Sequence, residues 1–363
     1  MTERGWIPAP LPLERARIVL DVERMVYGDG EVAERGFYDW LYRKNPAGEA
    51  VIWYAATGDP GAESAGHYAV VPVRVALHGA AVAGSVSVNT VTHPDFRRQG
   101  IFVALAERVF ADCAQRGIAF TYGFPNPSSL PGFVGRLGFA DIGRVPLLLA
   151  PLDARGLALP GSGAVRRLLV RAGAAVATPV SALLRRRARG RARVTEAPAD
   201  AADWDRTWES LRGKYPVMVV RDRQYVAWRF GGCPTRRYRL FVAHGDAGPT
   251  GLVVTRVGSV LGLRAGLVVD LVVARGEAGR DAGLALLGAA MQEFADARVA
   301  LAASLMPAIG EEYACLRRAG FFPCPRLLEP QPFAVILRHH GSSTTVPARL
   351  GDWLLTMGDY DAV

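Results

Sequence analysis

The stretch Ser85-Val-Ser-Val-Asn-Thr-Val-Thr-His-Pro-Asp-Phe-Arg-Arg-Gln-Gly-Ile-Phe-Val-Ala-Leu-Ala106 decides how the rest of the chain is read. Its first half alternates polar and apolar residues, the pattern of a strand with one buried face. His93-Pro94 ends that strand, because proline fixes φ and removes a backbone donor. Gly100 then lets the backbone pass close to a ligand, and the apolar spacing from Ile101 onward is that of a helix. Such a turn is an anion site by construction. The first N–H groups of a helix have no intrahelical acceptor and carry the positive end of its dipole, and Arg97 and Arg98 add charge. A pyrophosphate is the natural occupant.

Working outward, the chain repeats itself. Trp40-Leu-Tyr-Arg-Lys-Asn-Pro46 returns as Trp228-Arg-Phe-Gly-Gly-Cys-Pro234, with tryptophan, aromatic and proline in the same frame. Three apolar runs follow each copy: Val51 to Ala56, His67 to Val75 and Val82 to Thr92, then Tyr238 to Ala243, Leu252 to Val257 and Leu263 to Ala274. Arg97-Arg-Gln-Gly100 corresponds to Arg280-Asp-Ala-Gly283, and Leu137-Gly-Phe139 to Ala319-Gly-Phe321. Four matches in one order indicate a duplicated domain. The copies are placed at 1–152 and 196–340, joined by an Arg-rich helical linker at 153–195. A tail at 341–363 is expected to dock on the body, because Trp353, Leu354, Leu355 and Tyr360 are poor residues to leave in solvent.

Composition narrows the class. With 363 residues, half of them hydrophobic, the chain has ample core for two domains and is not mostly disordered. No window offers the roughly 18 apolar residues of a membrane span. The first twelve residues lack a signal pattern, so a cytoplasmic location is expected, with peripheral contact at the inner membrane face as an extension. The four cysteines and six histidines show no metal-ligand spacing, so no metal is expected and the thiols read as reduced. The net charge of +9 is local: ten arginines and no acid lie between Ala154 and Thr195, and the remainder holds 33 bases against 34 acids. That segment, Arg185 to Arg193 above all, suits a solvated connector or an anionic membrane surface. Nucleic acid is disfavoured, because no aromatic-interleaved basic face accompanies the arginines.

The turn at Arg97 resembles that of the GNAT acyltransferase superfamily, whose acyl-CoA signature is Gln or Arg, two residues, Gly, one residue, then Gly or Ala. Arg97 and Gly100 match, and Phe102 stands where Gly or Ala is usual. Gly138-Phe139 resembles the superfamily's Gly-Phe before a last strand, and Asn45-Pro-Ala-Gly48, Thr92 to Phe102 and the pattern from Trp353 to Asp361 resemble tandem-GNAT proteins described as acetyltransferases of bacterial polysaccharide or secondary metabolism. The resemblance implies an α/β (α+β) chain of two GNAT-like domains, each a mixed, centrally splayed β-sheet flanked by helices, the second degenerate. It implies acetyl-CoA as co-substrate and transfer of acetyl to the primary amine of an amino sugar or small metabolite by direct attack. A Fem-type aminoacyl-tRNA-dependent transferase and a non-catalytic CoA-binding protein are the alternatives.

On this reading Asn89, Thr90, Val91 and Thr92 present free backbone to the pantetheine arm, with an N–H near Val91 facing the thioester oxygen. Arg97, Arg98, Gln99, Gly100, Ile101 and Phe102 hold the pyrophosphate, and Asn126 and Ser128 complete the cofactor-binding set. The superfamily's usual tyrosine, four residues before the Gly-Phe, is here Val134. Candidates for proton transfer are Tyr122, His93 beside the turn, and Asp359 and Asp361 in the tail. A plainer role for His93 is packing under its loop, with Asp95 accepting local N–H groups; Tyr122 has the alternative of a buried strand aromatic.

Overall fold

A computed structural model describes residues 5–58, 63–157, 164–341 and 344–360, and side chains of 164–171 are not described. Two compact units emerge, and neither is a continuous segment. The first comprises 1–143, 232–235 and 334–348; the second comprises 144–231, 236–333 and 349–363. Their bounds differ from the 1–152 and 196–340 of the two sequence copies.

The first unit is built on a sheet of β1 (Trp6–Pro10), β2 (Val51–Thr57), β3 (Ser64–Leu77), β4 (Ala80–Thr92), β5 (Phe120–Gly123), β15 (Ala334–His339) and β6 (Ala140–Arg144), in that spatial order. β4 and β5 are parallel, and the β3–β4 and β5–β15 pairs are antiparallel. The helices here are α1 (Arg17–Tyr27), α2 (Arg35–Tyr38), α3 (Ile101–Gln115) and α4 (Leu130–Leu137). On one face Tyr68 and Val70 of β3 meet Ile101, Leu105, Val109 and Phe110 of α3 and Phe133 and Leu137 of α4. Alternation along β3 sends His67 to the other face, where it meets Glu23 of α1.

The second unit repeats the plan. Its sheet order is β14 (Phe322–Pro323), β7 (Leu147–Pro151), β13 (Leu301–Leu305), β12 (Leu263–Val273), β11 (Gly248–Val260), β10 (Arg239–Gly245) and β8 (Arg193–Glu196). Only β12 and β13 are parallel. Helices α5 (Ala164–Arg187), α6 (Asp203–Leu211), α7 (Arg223–Val226), α8 (Gly276–Asp296) and α9 (Gly310–Arg318) belong to it, as do β9 (Val217–Val219) and β16 (Trp353–Leu354), which pair in parallel. The 153–195 linker is thus no free-standing piece: Ser181 of α5 donates to the Gly320 carbonyl at 2.9 Å, and β8 closes one edge of the sheet.

The discontinuity has one cause. β7 ends the first copy but pairs with β13 of the second sheet, Leu147 opposite Leu305 and Pro151 opposite Leu301. β15 ends the second copy but pairs with β5 of the first, Ile336 opposite Gly123 and His339 opposite Phe120. Each sheet is completed by the last strand of the other copy.

Two predictions follow from β15 and the residue after it. Ile336 is fully buried, so Ile336→Ala should lower stability by about 2–5 kcal/mol in urea unfolding. His340 stacks on Phe110 and its Nε2 lies 2.6 Å from Thr121 Oγ1; burial first, then Arg338 and His339, push its pKa down from 6.5 to about 4. The unfolded chain thus binds a proton that the folded chain refuses between about 6.5 and 4, and stability should fall as pH drops through that window. In His340→Gln that component of the pH dependence should vanish.

Candidate functional site

β3 and β4 are the long central strands of the first unit, and β4 carries a deformation next to its end. Val88 faces Ala69, but the next aligned partner of β3, His67, faces Val91, so Asn89 and Thr90 together oppose Tyr68. Asn89 takes φ 43° at this bulge, and its Nδ2 donates to Tyr42 Oη at 2.9 Å. A bulge re-aims backbone and side chains locally.

The second deformation is a splay. β4 pairs with β5 only from Ser85–Thr121 to Ser87–Gly123. β4 then runs on to Thr92 while β5 has ended, so the edge from Val88 to Thr92 is not paired with β5. Thr90 Oγ1, on this stretch, is buried with no hydrogen-bond partner among the described residues. An orphaned buried hydroxyl beside an open strand edge suits a polar, extended ligand such as an amide-bearing arm.

The strand delivers the chain to the turn. His93 caps a short 3-10 helix, Pro94–Phe96, and its Nδ1 accepts the Asp95 N–H at 3.2 Å. His93 therefore packs beneath its loop, edge-on to Phe96, with the acceptor role on the imidazole rather than on Asp95 as expected. Arg98 (φ 63°) and Gly100 (φ 81°) are both left-handed, and α3 starts directly at Ile101 with no acidic residue in its first turn. Arg97 to Gly100 are exposed, and a Cβ built on Gly100 would meet nothing within 4 Å. The space before the helix start is open, with two guanidinium groups beside it. Phe102 does not crowd it: its ring turns into the α3–α4 seam, 5.2 Å from Phe133 and 5.9 Å from Tyr68, where a Cβ on Gly132 would lie only 3.2 Å away.

The other sequence-selected residues divide. Val91 is buried and Thr92 half-buried at the end of β4, leading into Arg97, Gln99 and Ile101. Asn126 is occupied locally, its Oδ1 accepting the N–H groups of Ser128 and Ser129 at 3.0 and 2.9 Å ahead of α4, and Ser128 is exposed. Tyr122 is 1 % exposed and lies within the sheet between Val86 and Leu337, a strand aromatic set against Phe124. Val134 is exposed and offers no hydroxyl. One pair escaped sequence reasoning: Glu23 and His67 lie 3.4 Å apart, both fully buried, behind the strand position opposite Val91. Two lone residues 44 positions apart carry no local pattern that could have found them.

The second unit repeats the bulge and the splay. Val254 faces Asp270 while Thr255 faces Val268, and β12 pairs with β13 only as far as Val268–Ser304. Its helix differs. α8 begins at Gly276, so Arg280-Asp-Ala-Gly283, the better match to the CoA signature, lies inside the helix, where N–H groups are already bonded. Gly283 serves packing, since a Cβ there would come 2.7 Å from Cys315 Sγ. Carboxylates occupy the region: the Gly276 N–H donates to Glu311 Oε1, and Asp281 accepts the N–H groups of Arg191 and Ala192.

The tail also belongs to this unit. Asp270 and Asp359 share Arg221, whose Nε and Nη2 lie 2.7 Å from Asp270 Oδ2 and Asp359 Oδ2, and all three are buried. Asp359 Oδ2 further accepts from the Thr356 N–H and hydroxyl, forming a capping box, and Arg229 Nε donates to the Gly358 carbonyl. Asp359 was expected to meet an incoming amine. It is instead enclosed as an ion-pair partner and cap, and burial, with the Asp270 charge beside it, holds its pKa above the ordinary range despite Arg221. Asp361 lies outside the described residues. No cluster of metal-ligating side chains occurs among the described residues.

Residues 16–142 match the family described as an acetyltransferase (GNAT) domain. No curated protein matches the chain in sequence. Among solved structures the chain is similar to a GCN5-related N-acetyltransferase from Anabaena variabilis (TM-score 0.62, 11% identity, covering 93% of this chain and 73% of that one). It is also similar to one from Kribbella flavida (0.54, 14%, 92% and 71%) and to Saccharomyces cerevisiae N-myristoyltransferase with bound myristoyl-CoA (0.57, 10%, 92% and 78%). At these identities the likeness is one of fold. The match to the GNAT domain is confined to residues 16–142, and the bulge, splay and turn of the first unit lie within those matched residues.

Removing the guanidinium from the buried triad strands two carboxylates. Arg221→Ala should destabilise the protein by about 3–5 kcal/mol in chemical denaturation.

Proposed function

We propose that the protein is an acyl-CoA-dependent N-acyltransferase that moves acetyl from acetyl-CoA to the primary amine of an amino sugar or small metabolite, using the first unit. One observation carries the reading: β4 leaves its parallel partner at Ser87 and runs unpaired with β5 to Thr92, straight into an exposed left-handed turn and the bare start of α3. Arg97, Arg98 and the helix N–H groups bind the pyrophosphate. The free edge of β4 hydrogen-bonds the pantetheine amides like an added strand, and Thr90 Oγ1 gains the partner it lacks.

The chemistry is direct attack. The nitrogen lone pair of the neutral amine adds to the thioester carbon, a backbone N–H near Val91 stabilises the oxyanion, and the carbon–sulfur bond breaks as the now cationic nitrogen gives up a proton to water, leaving the amide and CoA thiolate. The buried thiols Cys113 and Cys315 are pushed up to about 12 by burial, which argues against an acyl-enzyme on either sulfur. Val134 supplies no acid, and a thiolate needs little help to leave, since a free thiol ionises near pH ~8.5. Water protonates it afterwards. His93 Nδ1 is committed to the Asp95 N–H and Tyr122 is enclosed in the sheet, so the amine's proton goes to solvent before attack. The second unit, with its motif inside a helix and carboxylates at the helix start, is a degenerate relative that does not take CoA.

A thermal-shift titration with acetyl-CoA tests the site. Saturable stabilisation, about 2.7 kcal/mol at a hundredfold excess over Kd, is expected for the native chain and for Arg280→Glu, and its loss in Arg97→Glu and Gly100→Glu. No response from the native chain would overturn the reading. Thiol release with a panel of amines then separates an enzyme from a CoA binder. Its pH–rate limb should follow the amine's own ionisation; a limb abolished by His93→Gln or Asp361→Asn would restore a protein base.

A further inference from the structure

Helix α5 and the segment after it present a surface the proposed acyl transfer does not use. Val176, Val180 and Leu183, spaced i, i+4 and i+7, share one helix face and are 68%, 43% and 48% exposed. Their stripe runs toward Arg186 and Arg187 and then Arg189, Arg191 and Arg193, all exposed, and no acid occurs from Ala154 to Thr195 to pair with them. On another side of α5 the connector and α8 border an open groove of about 670 Å³, lined by Leu284, Leu287 and Met291 and by Arg185, Arg186 and Arg189. Arg185 is held there through its bond to Ser181 Oγ, and Ser181 in turn donates to the Gly320 carbonyl. The apolar stripe and the exposed arginines beyond it belong together on one unit, the stripe lying apart from the groove.

We infer that this face docks on an anionic lipid bilayer, the stripe entering the acyl boundary and the arginines binding headgroup phosphates. Charge complementarity selects the partner, since multiple arginines in a stretch without acids lower their energy most against a negative surface potential. The apolar stripe selects lipid over a plain polyanion, because RNA gives Val176, Val180 and Leu183 nothing to bury against, and the arginines are not interleaved with aromatic stacking platforms. No helix of the described residues is long and apolar enough to cross a membrane, so the contact is one of lying on the surface.

Flotation of the full chain with vesicles of phosphatidylcholine alone, and of phosphatidylcholine mixed equally with phosphatidylglycerol, tests this. Binding to the mixed vesicles only, weakening as salt rises, is expected. Arg186→Glu/Arg187→Glu/Arg189→Glu should reduce it at least ~10-fold, and Val176→Ser/Val180→Ser/Leu183→Ser should also reduce it, with both variants keeping the native circular dichroism and melting profile. Failure to float with mixed vesicles would overturn the inference. So would flotation that neither variant reduces, or a loss confined to the arginine variant with equal affinity for single-stranded RNA, which would mark a general polyanion site.

Discussion

A buried backbone N–H or C=O group must find a partner, and much of this structure follows from how the two sheets meet that obligation. In each, a parallel pair of central strands leaves β5 or β13 with a second edge to close. The closure comes from β15 and β7, strands that the chain delivers from the other copy. Against this discipline, the stretch of β4 beyond Ser87 stands out, because its pairing with β5 stops while the strand continues. The closing of β5 and β13 by β15 and β7 makes that opening informative, and it is the opening on which the proposed binding of a pantetheine arm rests.

The two units share a strand plan and part company at one helix start. Both keep the bulge and the splay, which are properties of strand register. They differ at the helix. Starting α3 after a left-handed glycine leaves its N–H groups facing open space, whereas α8 starts seven residues ahead of the corresponding glycine and meets Glu311. Carboxylates at that position do locally what a phosphate would do, so the second unit's helix terminus is satisfied from within.

Sequence reading found what is local. Ser85 to Ala106 holds strand, turn and helix in one contiguous pattern, so the fold class and the turn at Gly100 ahead of a helix were legible there. The duplicated order of apolar runs was legible for the same reason. Strand exchange was not, because Leu147 to Pro151 and Ala334 to His339 are short apolar runs that could pair with either sheet. The place of Arg280 to Gly283 inside α8 was not legible, since a motif string does not say where its helix begins and nothing between Gly276 and Arg280 forbids helix. The direction of the Phe102 ring and the enclosure of Asp359 depend on Gly132, Phe133 and Arg221, partners brought in by the fold rather than by spacing.

The exchange of β7 and β15 also orders events in time. When a ribosome has made residues 1–143, the first sheet has β5 beside a gap that only residues 334–339 fill, and those lie roughly two hundred residues downstream. At about 5–20 residues per second, that edge waits on the order of ten to forty seconds. During that interval β7 too has no sheet to join. The nascent chain therefore carries two unsatisfied strand edges at once, which favours late, concerted closure of both sheets over the sequential, unit-by-unit folding usual for tandem domains. A gene split between the copies would separate each sheet from its closing strand.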